Sequence, residues 1–202
     1  MLNNQLLTRR TTLLGMTSAL AIAPAMPAMA LTKSEAETLI NKLTSDVMAT
    51  INAGKSKSAM FKDFEKIFAR YADVPLIAQK ALGTTWRTAS PAQRKAYVSA
   101  FRGYMARFYG KRFEEFIGSE IKVKKSRKTA GGYLVDTNIK LRGSSAFKAQ
   151  WHVIDARGKT LMYNLFLEGV SVLSDVRVQI GSMLDKRGGS IDKLTAHLRT
   201  AG

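Results

Sequence analysis

Cysteine is absent from this 202-residue chain, and histidine occurs only as His152 and His197. The first absence excludes disulfides, a thiol nucleophile, thiolate metal sites and a lipobox-type lipid anchor. The second argues against a multi-histidine metal centre, so no catalytic or structural metal is expected. Acidic residues are scarce: 15 Asp and Glu stand against 32 Lys and Arg, a formal net charge of +17. That excess calls for an anionic partner, either nucleic acid or a phospholipid surface. Dinucleotide fingerprint, phosphate-binding loop, zinc motif and calcium loop are missing as well. The remaining composition, 46% apolar and 23% charged, is that of a globular chain with one domain.

Residues 1–30 read as a cleavable export signal. Arg9 and Arg10 are a basic start, Leu13 to Ala23 is a short apolar core, and Ala28-Met29-Ala30 is a small-x-small cleavage site. The apolar core falls short of the roughly 20 residues of a membrane span. Thr8-Arg9-Arg10-Thr11-Thr12-Leu13-Leu14 resembles a twin-arginine signal without its usual aromatic, so the general secretory and twin-arginine routes both stay open. The mature domain is then 31–202, with 30 basic and 15 acidic residues. An exported protein rarely meets nucleic acid. The expected location is the periplasm and the expected anion is an envelope surface.

The mature chain opens with helical periodicity. Thr32-x-x-Glu35 is a capping box, followed by Leu39, Leu43, Val47 and Ile51 until Gly54. A second helix is predicted from about Ser58 to Tyr71. Asp73 and Pro75 start a short helix that stops at Gly83. Ser90-Pro91-Ala92-Gln93 opens a long helix carrying Tyr97, Val98, Phe101, Tyr104, Met105, Phe108 and Tyr109. Its aromatics are either ordinary core or one wall of an apolar cavity.

From Ser119 the period becomes two. Ile121 and Val123, then Tyr133, Val135, Thr137, Ile139 and Leu141, then Phe147, Ala149, Trp151 and Val153, then Leu161, Tyr163, Leu165 and Leu167 form the apolar side of a four-stranded antiparallel meander. Two short helices follow, over about 174–186 and from Ser190. Helices first and strands later give an α+β class.

Catalytic chemistry is thin. Asp136, His152 and Glu168 are the available acid–base residues, and no Ser/His/acid pattern appears. Glu168 and Asp175 read as a carboxylate pair or, with Arg177 and Arg187 nearby, as members of structural ion pairs. The basic run from Lys122 to Lys128 is a solvated strand and turn or a surface for an acidic protein or phospholipid headgroups.

Several segments together resemble the MlaC, or toluene-tolerance, family of periplasmic phospholipid-binding proteins. They are Asp73-Val74-Pro75, the stretch from Ala81-Leu82-Gly83-Thr84-Thr85-Trp86 to Ser90-Pro91-Ala92-Gln93-Arg94, and the aromatic helix Phe101 to Tyr109. Glu168-Gly169-Val170-Ser171, Arg177, Gly188-Gly189 and Asp192-Lys193-Leu194 complete the set. The resemblance implies helices packed on a strongly curved antiparallel sheet, a cone akin to the nuclear-transport-factor fold, around an apolar cavity. It also implies a non-enzymatic, monomeric carrier without cofactor, its cargo a diacyl phospholipid. The implied partners are an inner-membrane ABC transporter with an MCE-domain ring and an outer-membrane lipoprotein–porin complex, and the implied task is maintaining outer-membrane lipid asymmetry. A hopanoid-linked branch of the family, or an acid–base enzyme in a similar cone, are the alternatives.

Carrying two acyl chains through water would expose ~30 methylenes at ~0.8 kcal/mol each, so the tails must be enclosed. The expected walls are Val98, Phe101, Tyr104, Met105 and Phe108 of the long helix. Facing them would be Tyr133, Val135, Ile139, Phe147, Trp151, Val153, Leu161, Tyr163 and Leu165 of the sheet. Intact-mass measurement of protein from the envelope fraction should give a chain beginning at Leu31; a retained 1–30 segment would show an anchored protein instead.

Overall fold

The computed structural model describes residues 31–202, so the predicted export signal lies outside the described residues. Helices α1 (Lys33–Asn52), α2 (Lys57–Tyr71), α3 (Val74–Leu82), α4 (Thr85–Thr88) and α5 (Pro91–Gly110) come first. A 3₁₀ turn (Phe113–Phe116) leads into strands β1 (Glu120–Thr129), β2 (Gly132–Lys140), β3 (Phe147–Asp155), β4 (Thr160–Leu167) and β5 (Val170–Ser171). Helices α6 (Val172–Asp185) and α7 (Ile191–Leu198) close the chain. The expected α+β class, with helices packed on a curved antiparallel sheet, is what is found.

The starts of the helices follow their caps. The Thr32 hydroxyl accepts from the Glu35 amide at 3.2 Å while the Glu35 carboxylate accepts from the Thr32 amide at 2.8 Å. Those hydrogen bonds hold the Glu35 carboxyl below its ordinary value. Ser90 and Gln93 repeat the box at α5, and Asp73 accepts from the Leu76 amide at α3, with Pro75 in the first turn. Helix α6 starts two residues earlier than the periodicity predicts. Ser171 is its cap, accepting from the Ser174 amide, which draws Val172 and Leu173 into the first turn.

The sheet is a meander in the order β1-β2-β3-β4-β5. The short fifth strand, where the sequence predicts four, folds Val170 and Ser171 back onto Leu167 and Phe166. Cross-strand register puts Tyr133 opposite Val153, Val135 opposite Trp151, Thr137 opposite Ala149 and Ile139 opposite Phe147. These residues share one face. A bulge interrupts β4: His152 faces Asn164, but Val153 faces Met162 and Ile154 faces Leu161. Tyr163 is thus the extra residue. Strict alternation therefore misplaces three residues, Leu161, Met162 and Tyr163. Met162 takes the position opposite Val153, and Leu161 falls on the other face.

The interior has two main cores and a small third cluster, where Ile51 of α1 meets Met60 of α2. The larger core joins α3, α5, α6 and α7 through Ile77, Tyr97, Phe101, Tyr104, Ile180 and Leu194, among others. The smaller core lies under the sheet, where Ala36, Ile40 and Leu43 of α1 and Ile67 and Tyr71 of α2 meet Val135 and Val153. Helix α2 serves both, because Phe68 packs on the first core while Ile67 and Tyr71 belong to the second. Met162 packs against both.

Close backbone approach makes one glycine irreplaceable. A Cβ on Gly132 would overlap the Val153 carbonyl oxygen, whereas one on Gly181, inside α6, meets nothing within 4 Å. Urea unfolding should show Gly132→Ala destabilised by roughly 1–3 kcal/mol or more. Gly181→Ala should be stabilised by up to about 1 kcal/mol.

Candidate functional site

The long helix keeps its aromatics in the larger core. Phe101 and Tyr104 are almost fully enclosed, Met105 is buried, and Val98 and Phe108 pack at the margin. The Tyr104 hydroxyl donates to Gln179 at 3.2 Å. Its ring lies 5.5 Å from Phe108, whose ring meets Tyr109 edge-on at 5.1 Å.

The sheet residues form a second group. Val135 and Val153 are fully buried, with Tyr133 and Trp151 at the edge of the same core. Ile139 is buried, and Phe147 and Leu165 are half-buried. The Trp151 indole N–H donates to the Thr137 hydroxyl at 3.0 Å, which donates to the Ala149 carbonyl at 3.2 Å. The register thereby fixes an aromatic ring on the inner face. Leu161 lies on the opposite face. The Tyr163 ring sits 4.6 Å from the His152 ring.

These two groups do not face one another. Helix α5 packs against α2, α3 and α7, while α1 and α2 cover the sheet's inner face. Phe101 and Met105 therefore do not stand across a chamber from Val153, as the sequence-based expectation had it. The reason is the apolar stripe of α1. Ala36, Ile40 and Leu43 must be buried somewhere, and the sheet face receives them. The stripe expected from periodicity, Leu39, Leu43, Val47 and Ile51, shares only Leu43 with these three and carries no signal of their partner. Polar ties fix this helix layer at its rim. The Tyr71 hydroxyl donates to Asp46 at 2.7 Å, joining α2 to α1, and Arg102 meets Glu65 at 2.8 Å, joining α5 to α2.

The acid–base candidates are spread apart and engaged. Buried Asp136 accepts from the Gln150 amide nitrogen at 2.7 Å and pairs with Lys148 at 3.3 Å. His152 meets the Thr129 hydroxyl at 3.0 Å. Burial, and then nearby Arg127, hold its imidazole below the ordinary value, so it is neutral at pH 7. Glu168 is exposed, with positive φ, and accepts from the Lys148 amide. The expected Glu168–Arg177 pair is not formed. The left-handed turn at Glu168 and Gly169 carries the carboxylate back over β3, and Arg177 lies against Gly83 instead. Pro91 is the first residue of α5, and Trp86 lies just before its start. Arg94 lies 5.2 Å over the Trp86 ring and donates to the Trp86 carbonyl at 3.0 Å.

Among the described residues, no group of His, Asp and Glu could hold a metal ion, and no helix is long and apolar enough to cross a membrane. Two open surface depressions stand out. One, of about 260 Å³, lies between α3, β4 and α6; the other, of about 550 Å³, runs along α5 between Glu65, Lys95 and Arg199.

A helical layer on a curved five-stranded antiparallel sheet, with two main cores sharing helix α2, defines an α+β domain. The chain belongs to the MlaC protein family, whose model matches residues 41–200. A solved structure from Ralstonia solanacearum, described as a phospholipid-binding protein in complex with a phospholipid, has the same fold. The TM-score is 0.69 at 20% identity, covering 81% of this chain and 94% of that one.

Enclosure has a measurable consequence at Tyr97. Its buried hydroxyl has no hydrogen-bond partner among the described residues, and burial raises its proton affinity far above the ordinary value of 10.0. Tyr109 is pushed up to about 12 by burial, and then by the neighbouring Tyr104 and Asp175. The unfolded chain releases these protons first, so stability should fall as pH rises above about 10. Thermal melts should show Tyr97→Phe no less stable at pH 7, with a gain of up to about 1 kcal/mol. Its alkaline loss should be smaller than that of the unsubstituted chain.

Proposed function

We propose that this chain is a periplasmic carrier that binds one diacyl phospholipid and hands it between membranes. The observation that carries the reading is membership of the MlaC family over residues 41–200. The apolar inventory supports it. Phe147, Trp151, Leu165, Tyr109 and Phe108 are only half-buried, and Trp151, Tyr109 and Phe108 pack at the margins of the cores.

The acyl chains enter along the seam between the two cores. Side chains of α1 and α2 occupy the sheet's inner face, so loading needs that layer to separate from the α5 layer. Met162 and α2, which serve both cores, are the elements along which they part. The rim tie between α5 and α2, Arg102–Glu65, is partly exposed and worth little, so it permits such opening. Release requires that burial inside the protein roughly match burial in a bilayer. A seam that closes on its own side chains lowers the cost of the lipid's departure.

The partners in this reading are an outer-membrane lipoprotein–porin complex and an inner-membrane ABC transporter with an MCE-domain ring. The basic edge strand β1, with Lys122, Lys124, Lys125, Arg127 and Lys128 exposed, suits docking to acidic surfaces of either.

Native mass spectrometry of protein purified from the envelope should show diacyl phospholipid at close to one per chain, identified after extraction. Protein that stays unliganded even after incubation with liposomes would overturn the carrier reading. In urea unfolding Val153→Asp and Met105→Asp, both at buried positions, should lose several kcal/mol of stability.

A further inference from the structure

The depression between α3, β4 and α6 has a charge pattern that the acyl seam does not require. Lys80 of α3, Tyr163 of β4, and Ser174 and Arg177 of α6 line it, and no carboxylate does. Lys80 and Arg177 make no ion pair or hydrogen bond with any described residue.

Both cations are nevertheless held in place. The Lys80 ammonium stands 5.8 Å from the centroid of the Tyr163 ring. The Arg177 guanidinium reaches back to the end of α3, where a Cβ on Gly83 would lie 3.4 Å from its Nη2. Gly83 has φ +68°, so the left-handed turn that ends α3 also leaves that place open. The bulge that displaces Tyr163 from the sheet alternation is what brings its ring to Lys80.

The backbone beneath is already satisfied. The buried Asn164 side-chain oxygen accepts from the amides of Leu165 and Leu173, its nitrogen donates to the Ser171 hydroxyl, and that hydroxyl accepts from the Ser174 amide. The donors without hydrogen-bond partners are the side chains of Lys80, Arg177, Tyr163 and Ser174. Two cations and two hydroxyls with no counter-charge suit a tetrahedral oxyanion.

We propose that this junction binds a phosphate group, clasped between Lys80 and Arg177. Resting on the carrier reading, the source is the headgroup phosphate of the cargo lipid. At about 260 Å³ the depression is below the ~300–1,000 Å³ of drug-sized ligand pockets, which suits a headgroup and not acyl chains. Tyr163 and Leu173, at its floor, also pack against the larger core. A phosphate here leaves its glycerol beside the apolar interior.

The test uses lipid-stripped full-length protein, with Lys80→Gln and Arg177→Gln singly and together, and Arg177→Lys to keep the charge. Both positions are exposed, and circular dichroism melts verify folding. Uptake is compared from vesicles of phosphatidylglycerol and from vesicles containing labelled diacylglycerol, which lacks the phosphate. Inorganic phosphate is titrated while the amide NMR signals of Tyr163 and Ser174 are followed. The unsubstituted chain should prefer phosphatidylglycerol. The double variant should lose that preference by about tenfold or more, and Arg177→Lys should retain most of it. Phosphate-dependent shifts that vanish in the double variant while the vesicle preference persists would assign the site to free phosphate. Variants that keep both the preference and the shifts, or an unsubstituted chain with neither, would overturn the proposal. If the unsubstituted chain takes up neither lipid, the carrier reading falls, and the phosphate titration still decides the site.

Discussion

Burial of the sheet's inner face is the constraint on which the rest depends. Val135, Val153, Trp151 and Tyr133 present a continuous apolar surface that water would penalise at roughly 25 cal/mol per Å². Helix α1 covers it with Ala36, Ile40 and Leu43. Because α1 takes that place, α5 is turned away and buries its aromatics against α3, α6 and α7. The two-core arrangement, and the seam through α2 and Met162, follow from that single allocation.

A cysteine-free chain must hold such an arrangement by packing alone. The ion pairs between helices are partly exposed and contribute weakly. The caps set where helices begin, at about 1 kcal/mol each. The core among α3, α5, α6 and α7 is the larger, and the sheet core is smaller.

Charge is distributed separately from this apolar design. Cations of β1 lie along the free edge of the sheet, where they also discourage strand-to-strand association. Lys80 and Arg177 lie at the other end of the meander, beside β4 and α6. Carboxylates are scarce, and Asp46, Glu65 and Asp136 pair between separate elements of the chain. The net positive charge therefore stays on the surface and available to anionic partners.

Local elements were readable from residues in sequence. The boxes Thr32–Glu35 and Ser90–Gln93, the Asp73–Pro75 start and the Gly83 stop act over three or four residues, and such interactions depend on chain neighbours alone. The alternation of β2 and β3 was equally legible, since side-chain direction in a strand has period two. Three things were decided only by tertiary structure. The β4 bulge exchanges Met162 for Tyr163, a shift set by the partner strand. Glu168 bonds the Lys148 amide while Arg177 lies against Gly83, because a left-handed turn redirects one side chain and helix packing the other. And the sheet face is covered by α1 rather than α5. Both helices carry suitable apolar stripes, and periodicity tells which face of a helix is buried but not against what; that choice belongs to the packing of the whole chain.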